Sequence, residues 1–175
     1  ARGNNRNEPK KVNGMSGTRE QYLMPWRSYD EIPDGFEFSG TGRTITEADL
    51  LMSALGGSFA PLHADAEWIR ANTSFPDRLL PGTTILHYAL NQISSTLIYR
   101  YLIVAFLGLD KVRAKVPLVP GDTMTTHALL TEKRLTSAGD KAVLTFDITV
   151  KNQRDEIAMT CTYTILIRRD FDAAA

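Results

Sequence analysis

The sequence predicts an α+β domain in which one long helix is wrapped by a curved antiparallel sheet. Three observations carry that expectation. Leu86, Leu90, Ile93 and Leu97 recur at steps of four, three and four, as in a helix with a single buried stripe. After that helix the period switches to two. Leu144, Phe146, Ile148 and Val150 alternate with Thr145, Asp147 and Thr149, and Ile157, Met159, Cys161, Tyr163, Ile165 and Ile167 alternate with Thr160, Thr162 and Thr164. Such alternation means a sheet with one apolar face. The helix from about residue 83 to 100 is the only element long enough to fill that face.

Each element has its own local reason. Residues 1–24 are polar and lack a hydrophobic period, so they read as a flexible arm; 25–170 form the domain and 171–175 a disordered tail. Gly35–Ser39 is a short alternating segment. Thr46-Glu-Ala-Asp49 opens a helix, with a threonine cap, an acid three residues on, and both acids at the positive end of the dipole. Leu50, Leu51 and Leu55 give this helix an apolar side, and Gly56-Gly57 stops it. Asp65 caps a second helix, AEWIRAN, which leaves His63 in the connecting loop. The long helix starts at Thr83 or Thr84 and runs for roughly 16 to 18 residues. Residues 101–109 read as a buried strand, Val112–Val116 as a second, and Pro117–Gly121 as a turn.

Composition narrows the function. At 175 residues the chain makes one domain with enough core to need no staple. Twenty basic and twenty acidic residues cancel, which removes the electrostatic footprint expected of a nucleic-acid or anionic-membrane binder. The longest apolar run, 101–109, falls short of the ~20 residues a membrane helix needs. Cys161, the one cysteine, sits on the apolar face of a strand pattern, so it reads as a core residue in a reducing compartment. No signal-peptide pattern opens the sequence, and a cytoplasmic location is the expectation.

Several chemistries lack their motif. Three dispersed histidines and one cysteine give no metal-ligand spacing, so no metal is expected. Gly40-Thr-Gly42 lacks the third glycine of a dinucleotide loop. Gly56-Gly-Ser-Phe-Ala60 lacks the last glycine of a G-x-S-x-G nucleophile elbow.

Five stretches in order are more specific: GRTITEADL at 42–50, PLHAD at 61–65, FPDRLLPG at 75–82, KVPLVPGDTM at 115–124 and VKNQRDE at 150–156. Together they resemble the MaoC-like hydratase/dehydratase family, which has the hot-dog fold, over about residues 30 to 169. That resemblance implies reversible water addition to an enoyl-thioester and pairing of two hot-dog units, as a homodimer or higher even-numbered oligomer. It implies no separate cofactor; coenzyme A or an acyl carrier would belong to the substrate. It places the catalytic histidine at His63 and the backbone N–H donor to the thioester carbonyl at Gly82. Phe59, Ala60, Pro81, Thr83 and His87 become the expected substrate contacts.

The family's aspartate, five residues before the histidine, is Ser58 here, and its asparagine position is Ala60. An imidazole changes charge near cell pH and suits acid–base work. A serine hydroxyl is not ionised near neutrality and cannot replace a carboxylate base, though it can hold a water or a substrate hydroxyl. His63 is therefore expected as the lone acid/base of a hydro-lyase, with Ser58 positioning. The changed pair leaves elimination, isomerisation or cyclisation in a biosynthetic pathway open. A non-catalytic acyl-binding subunit of a heteromeric hydratase is the alternative. His87, one position off the buried stripe, reads as a hydrogen-bonded core histidine or a second polar group in the pocket; Asp49 and Asp65 read as caps, and His127 as an exposed strand residue.

Overall fold

A computed structural model of the chain describes Trp26 and residues 28–57, 59–94 and 102–170. The arm at 1–24, the tail at 171–175, Ser58 and Leu97 lie outside the described residues. The elements run β1 (Glu37–Ser39), β2 (Arg43–Thr44), α1 (Glu47–Leu55), α2 (Pro61–Ala64), α3 (Ala66–Asn72), α4 (Gly82–Ser94), β3 (Ile103–Ala114), β4 (Thr123–Leu135), β5 (Lys141–Lys151) and β6 (Ile157–Arg168). The strands form one antiparallel sheet in the order β1-β4-β5-β6-β3, with β2 paired to β4. This is the expected α+β hot-dog architecture.

The alternating faces sort as the period-two pattern requires. Leu144, Phe146, Ile148 and Val150 of β5 are buried, as are Met159, Cys161, Tyr163, Ile165 and Ile167 of β6. They pack against α4 in two apolar clusters, one built around Phe146 and Ile93, the other around Leu118, Met124, Ile85 and Ala89.

The phase of α4 differs from the sequence expectation. Its buried residues are Ile85, Ala89, Gln92 and Ile93, while Leu86 and Leu90 flank them half-buried. Gln92 is what disguises the stripe. A polar residue occupies a core position because its side-chain amide donates to the carbonyls of Thr41 (2.7 Å) and Met124 (3.3 Å).

The strand expected to be buried at 101–109 is instead an edge. Residues 103–114 form one continuous β3, not two strands, with register shifts that include one across Asp110–Arg113, where Lys111 takes φ 51°. β3 pairs with β6 on one side and with no other strand among the described residues, so Ile103, Val104, Phe106 and Leu107 stand exposed in the single chain. An apolar run does not by itself say whether a strand has a neighbour on both sides.

Candidate active site

α1 begins as its cap predicts, and the cap does more than start a helix. The Asp49 carboxylate accepts from the Thr46 backbone N–H (2.7 Å) and hydroxyl (2.8 Å), from Arg43 Nη2 (2.5 Å) and from the Tyr88 hydroxyl of α4 (2.7 Å). It is 4% exposed. Burial pushes its pKa up, but the bonds from Tyr88, Arg43 and Thr46 outweigh it and hold the carboxyl at about 2. Burial, then the bond to Asp49, raises the Tyr88 phenol. The Arg43 guanidinium also lies 4.2 Å from the centre of the Tyr88 ring.

One turn further along α1 and one turn back along α4, buried Ser53 bonds to Thr84, hydroxyl to hydroxyl at 2.9 Å, while donating to the Asp49 carbonyl. Asp49–Tyr88 and Ser53–Thr84 are thus two rungs between α1 and α4, each four residues apart on its helix. They show that α1 runs toward the start of α4. α1 ends where Gly57 takes φ 98°, a conformation that suits glycine, and Phe59 follows, 71% exposed.

Pro81 is the cap of α4: its carbonyl accepts from the N–H groups of Thr84 (2.9 Å) and Ile85 (3.0 Å). Gly82 and Thr83 therefore occupy the first turn, where N–H groups have no acceptor within the helix. Gly82 does not owe its place to backbone strain. Its φ is not positive, and a Cβ there would meet Met159 Cε at 3.7 Å, an ordinary contact.

His63 reaches this segment from the other side. It lies within the short helix α2, not in a loop: Pro61 sits at the first position, where its missing N–H costs nothing. The half-buried ring bonds through Nδ1 to the carbonyl oxygen of Leu79 (2.8 Å), and the Leu79 N–H returns a bond to the Leu62 carbonyl (3.0 Å). A carbonyl only accepts, so Nδ1 carries a proton, and in the neutral ring Nε2 is the nitrogen with the lone pair. Arg78 fixes the same segment by donating twice to Glu47 of α1 (2.7 and 2.9 Å). As expected, Asp65 caps α3, accepting from the Trp68 N–H at 2.9 Å.

The remaining candidates separate. Ala60 is the exposed cap of α2, Pro81 is buried and Thr83 is exposed at the start of α4. His87 is exposed rather than a core histidine; its Nε2 accepts from Asn91 Nδ2 at 3.0 Å. His127 is half-buried, not exposed, and bonds to Ser39 through Nδ1 (2.7 Å), its direct cross-strand partner. Burial, then the charge of Lys151, lowers its pKa. Cys161 is buried, and burial followed by the Asp147 charge pushes its thiol up to about 11, the opposite of a reactive cysteine. A groove of about 340 Å³ opens among Thr41, Gly42, Arg43, Tyr88, Asn91 and Gln92, and its lining includes neither His63 nor Gly82. The Asp49 centre escaped sequence reasoning, because a first-turn acid looks the same whether or not a distant tyrosine reaches it.

The family model described as MaoC like domain matches residues 35–152. The chain belongs to the MaoC-like family. That span takes in α1, His63, Gly82 and most of the sheet. The monoamine oxidase regulatory protein from Archaeoglobus fulgidus is 32% identical, with TM-score 0.74 over 81% of this chain and 94% of that one. The (R)-hydratase from A. caviae involved in PHA biosynthesis is 22% identical, with TM-score 0.63 over 77% of this chain and 96% of that one. The ChsH1-ChsH2 complex from Mycobacterium tuberculosis contributes a chain 15% identical, with TM-score 0.62 over 78% and 98%. The last two likenesses show the hot-dog fold. No curated protein matches the chain. Among the described residues, no helix is long and apolar enough to cross a membrane.

Proposed function

We propose that this MaoC-like protein adds or removes water across an enoyl/β-hydroxyacyl thioester or a related carbonyl-activated compound. The observation that carries the reading is the bond from His63 Nδ1 to Leu79 O, which leaves Nε2 as the nitrogen available to act as a base and joins His63 to the segment that leads into Gly82. In hydration, Nε2 takes a proton from water as the water oxygen bonds to the β-carbon. The π electrons move toward the carbonyl oxygen, where the Gly82 N–H and the positive end of α4 meet the growing charge. The imidazolium then returns its proton to the α-carbon. Dehydration reverses each step.

In this reading Ser58 holds the water or a substrate hydroxyl, and Phe59, Ala60, Pro81 and Thr83 line the approach. His87, one turn into α4 and exposed, meets the more distant part of the substrate. Coenzyme A or an acyl carrier enters as part of the substrate, and the exposed apolar edge of β3 supports assembly with a second copy. A cytoplasmic location fits substrates of this kind.

Purified protein incubated with crotonyl-CoA tests the proposal: loss of the enoyl absorbance, abolished by His63→Ala, is the expected result. Product mass separates hydration, which adds one water, from isomerisation or cyclisation, which adds nothing. The substitution of Ser58 and Ala60 in one stretch favours a second reading, an acyl-binding subunit that completes a partner's site. Activity that appears only when a MaoC-like chain with the aspartate is added would establish that reading instead.

A further inference from the structure

We propose that Ser53 and Thr84, backed by Asp49 and Tyr88, are positioning residues that set the Gly82 N–H against α1 and the segment carrying His63. The inference rests on the proposed function for its kinetic consequence but not for its structural one. Gly82 has no strained backbone and no tight steric neighbour to hold it in place. Its location is imposed from outside, by what grips the first two turns of α4.

Two grips come from α1. The Ser53 hydroxyl donates to the Asp49 carbonyl and meets the Thr84 hydroxyl at 2.9 Å, in a buried setting where a lost partner is costly. Asp49 takes the Tyr88 hydroxyl at 2.7 Å, one turn deeper. Thr84 is two residues from Gly82, and Ser53 is five residues before position 58. The same pair of side chains therefore references the donor N–H to the last turn of α1. His63 is referenced to the same frame through Leu79, and Arg78 ties that segment to Glu47 at the other end of α1. α1 acts as the ruler between the two halves of the site. Displacing a donor by about 1 Å can cost on the order of a hundredfold in rate, so a ruler of this kind belongs to catalysis as well as to folding.

The test uses Ser53→Ala and Thr84→Val, with Thr84→Ser as the conservative control that keeps the hydroxyl. The first readout is the backbone ¹⁵N–¹H resonance of Gly82 in the Ser53→Ala protein, whose altered residue lies on another helix. It should move, while the amide resonances of β5 and β6 stay in place and report an intact fold. The second readout is crotonyl-CoA kinetics. Ser53→Ala and Thr84→Val should lower kcat tenfold or more with KM within about threefold, and Thr84→Ser should recover most of kcat, as expected of a change in alignment rather than binding. An unmoved Gly82 resonance in Ser53→Ala overturns the inference, as does an unchanged kcat in both variants. If the unmodified protein does not turn over crotonyl-CoA, hydration of a simple enoyl-thioester is not its reaction, and the Gly82 resonance alone decides the positioning role.

Discussion

His63 Nδ1 stands 2.8 Å from the carbonyl oxygen of Leu79, three residues ahead of Gly82. One bond thereby does two things. It fixes Nδ1 as the protonated nitrogen of the neutral ring, and it joins the short helix carrying His63 to the segment that leads into Gly82.

The two roles separate by substitution. An asparagine at position 63 places its amide N–H near where Nδ1 stood and can keep the bond to Leu79, but it has no titrating nitrogen. His63→Asn and His63→Ala should both lose activity by roughly 10²- to 10⁴-fold. Only His63→Ala should also lose the bond's contribution to stability, about 1 kcal/mol. Steady-state kinetics alongside urea unfolding of both variants checks this. Full activity in His63→Asn would remove the histidine from the chemistry.

Gly82 offers a cleaner test than most backbone donors. It is the first residue of α4, where proline is well tolerated because that N–H makes no helical bond. Gly82→Pro should leave the fold intact by circular dichroism and lower kcat on the order of 10²- to 10³-fold. Gly82→Ala keeps the N–H, and its Cβ meets Met159 at an ordinary 3.7 Å, so most of the rate should remain.

What the sequence made legible was local or periodic. Asp65 caps α3 through a bond three residues long, and the Thr46–Asp49 box is equally short-ranged. The faces of β5 and β6 follow from alternation alone. Illegible features depend on partners far along the chain. Gln92 hid the phase of α4 because its amide is satisfied by Thr41, 51 residues away. Asp49 looked like a simple cap because Tyr88 is 39 residues on. α2 reads as loop because four residues are too few for a period, and β3 reads as buried because an apolar run does not reveal whether both its edges are paired. The sequence offers His63 and Gly82 as candidate positions; the pair of rungs that brings α1 to α4 is not legible in it.

Asp49 should make stability depend on pH at the acid end. Its folded pKa, about 2, lies below that of an unfolded carboxyl, so its contribution is complete above about pH 4 and is lost as pH falls toward 2. The contribution amounts to about 2 kcal/mol at neutral pH. Urea unfolding at pH 6 and at pH 3 should show this loss in the native protein and a weaker pH dependence in Asp49→Asn, which is already destabilised at pH 6. Equal acid sensitivity in the two would mean other carboxylates dominate.

The open edge of β3 predicts self-association. Val104, Phe106 and Leu107 are 44, 55 and 50% exposed on a strand with an unpaired side among the described residues, and such edges invite pairing unless blocked. Sedimentation of the purified protein should give a dimer or a larger even-numbered oligomer. Val104→Lys or Leu107→Lys should shift it toward monomer while leaving the β5–β6 core folded. A native protein that sediments as a monomer at micromolar concentration would refute this.

Ser58→Asp tests the least familiar feature of the sequence. Serine at the family's aspartate position cannot take a proton at neutral pH, whereas a carboxylate five residues before His63 restores the spacing D-x₄-H. If His63 and Gly82 are placed as the hydrogen bonds around them indicate, the substitution adds a base to a site that already has an acid and an oxyanion donor. Crotonyl-CoA hydration by Ser58→Asp should then exceed that of the native protein, by up to about 10²- to 10⁴-fold if the whole contribution of a general base is recovered. The gain should depend on the other two groups, so that Ser58→Asp combined with Gly82→Pro loses most of it. A gain that survives Gly82→Pro would place the reaction away from the start of α4. No gain at all, with His63→Ala still damaging the native activity, would mean that the serine is fitted to a substrate other than a simple enoyl-thioester.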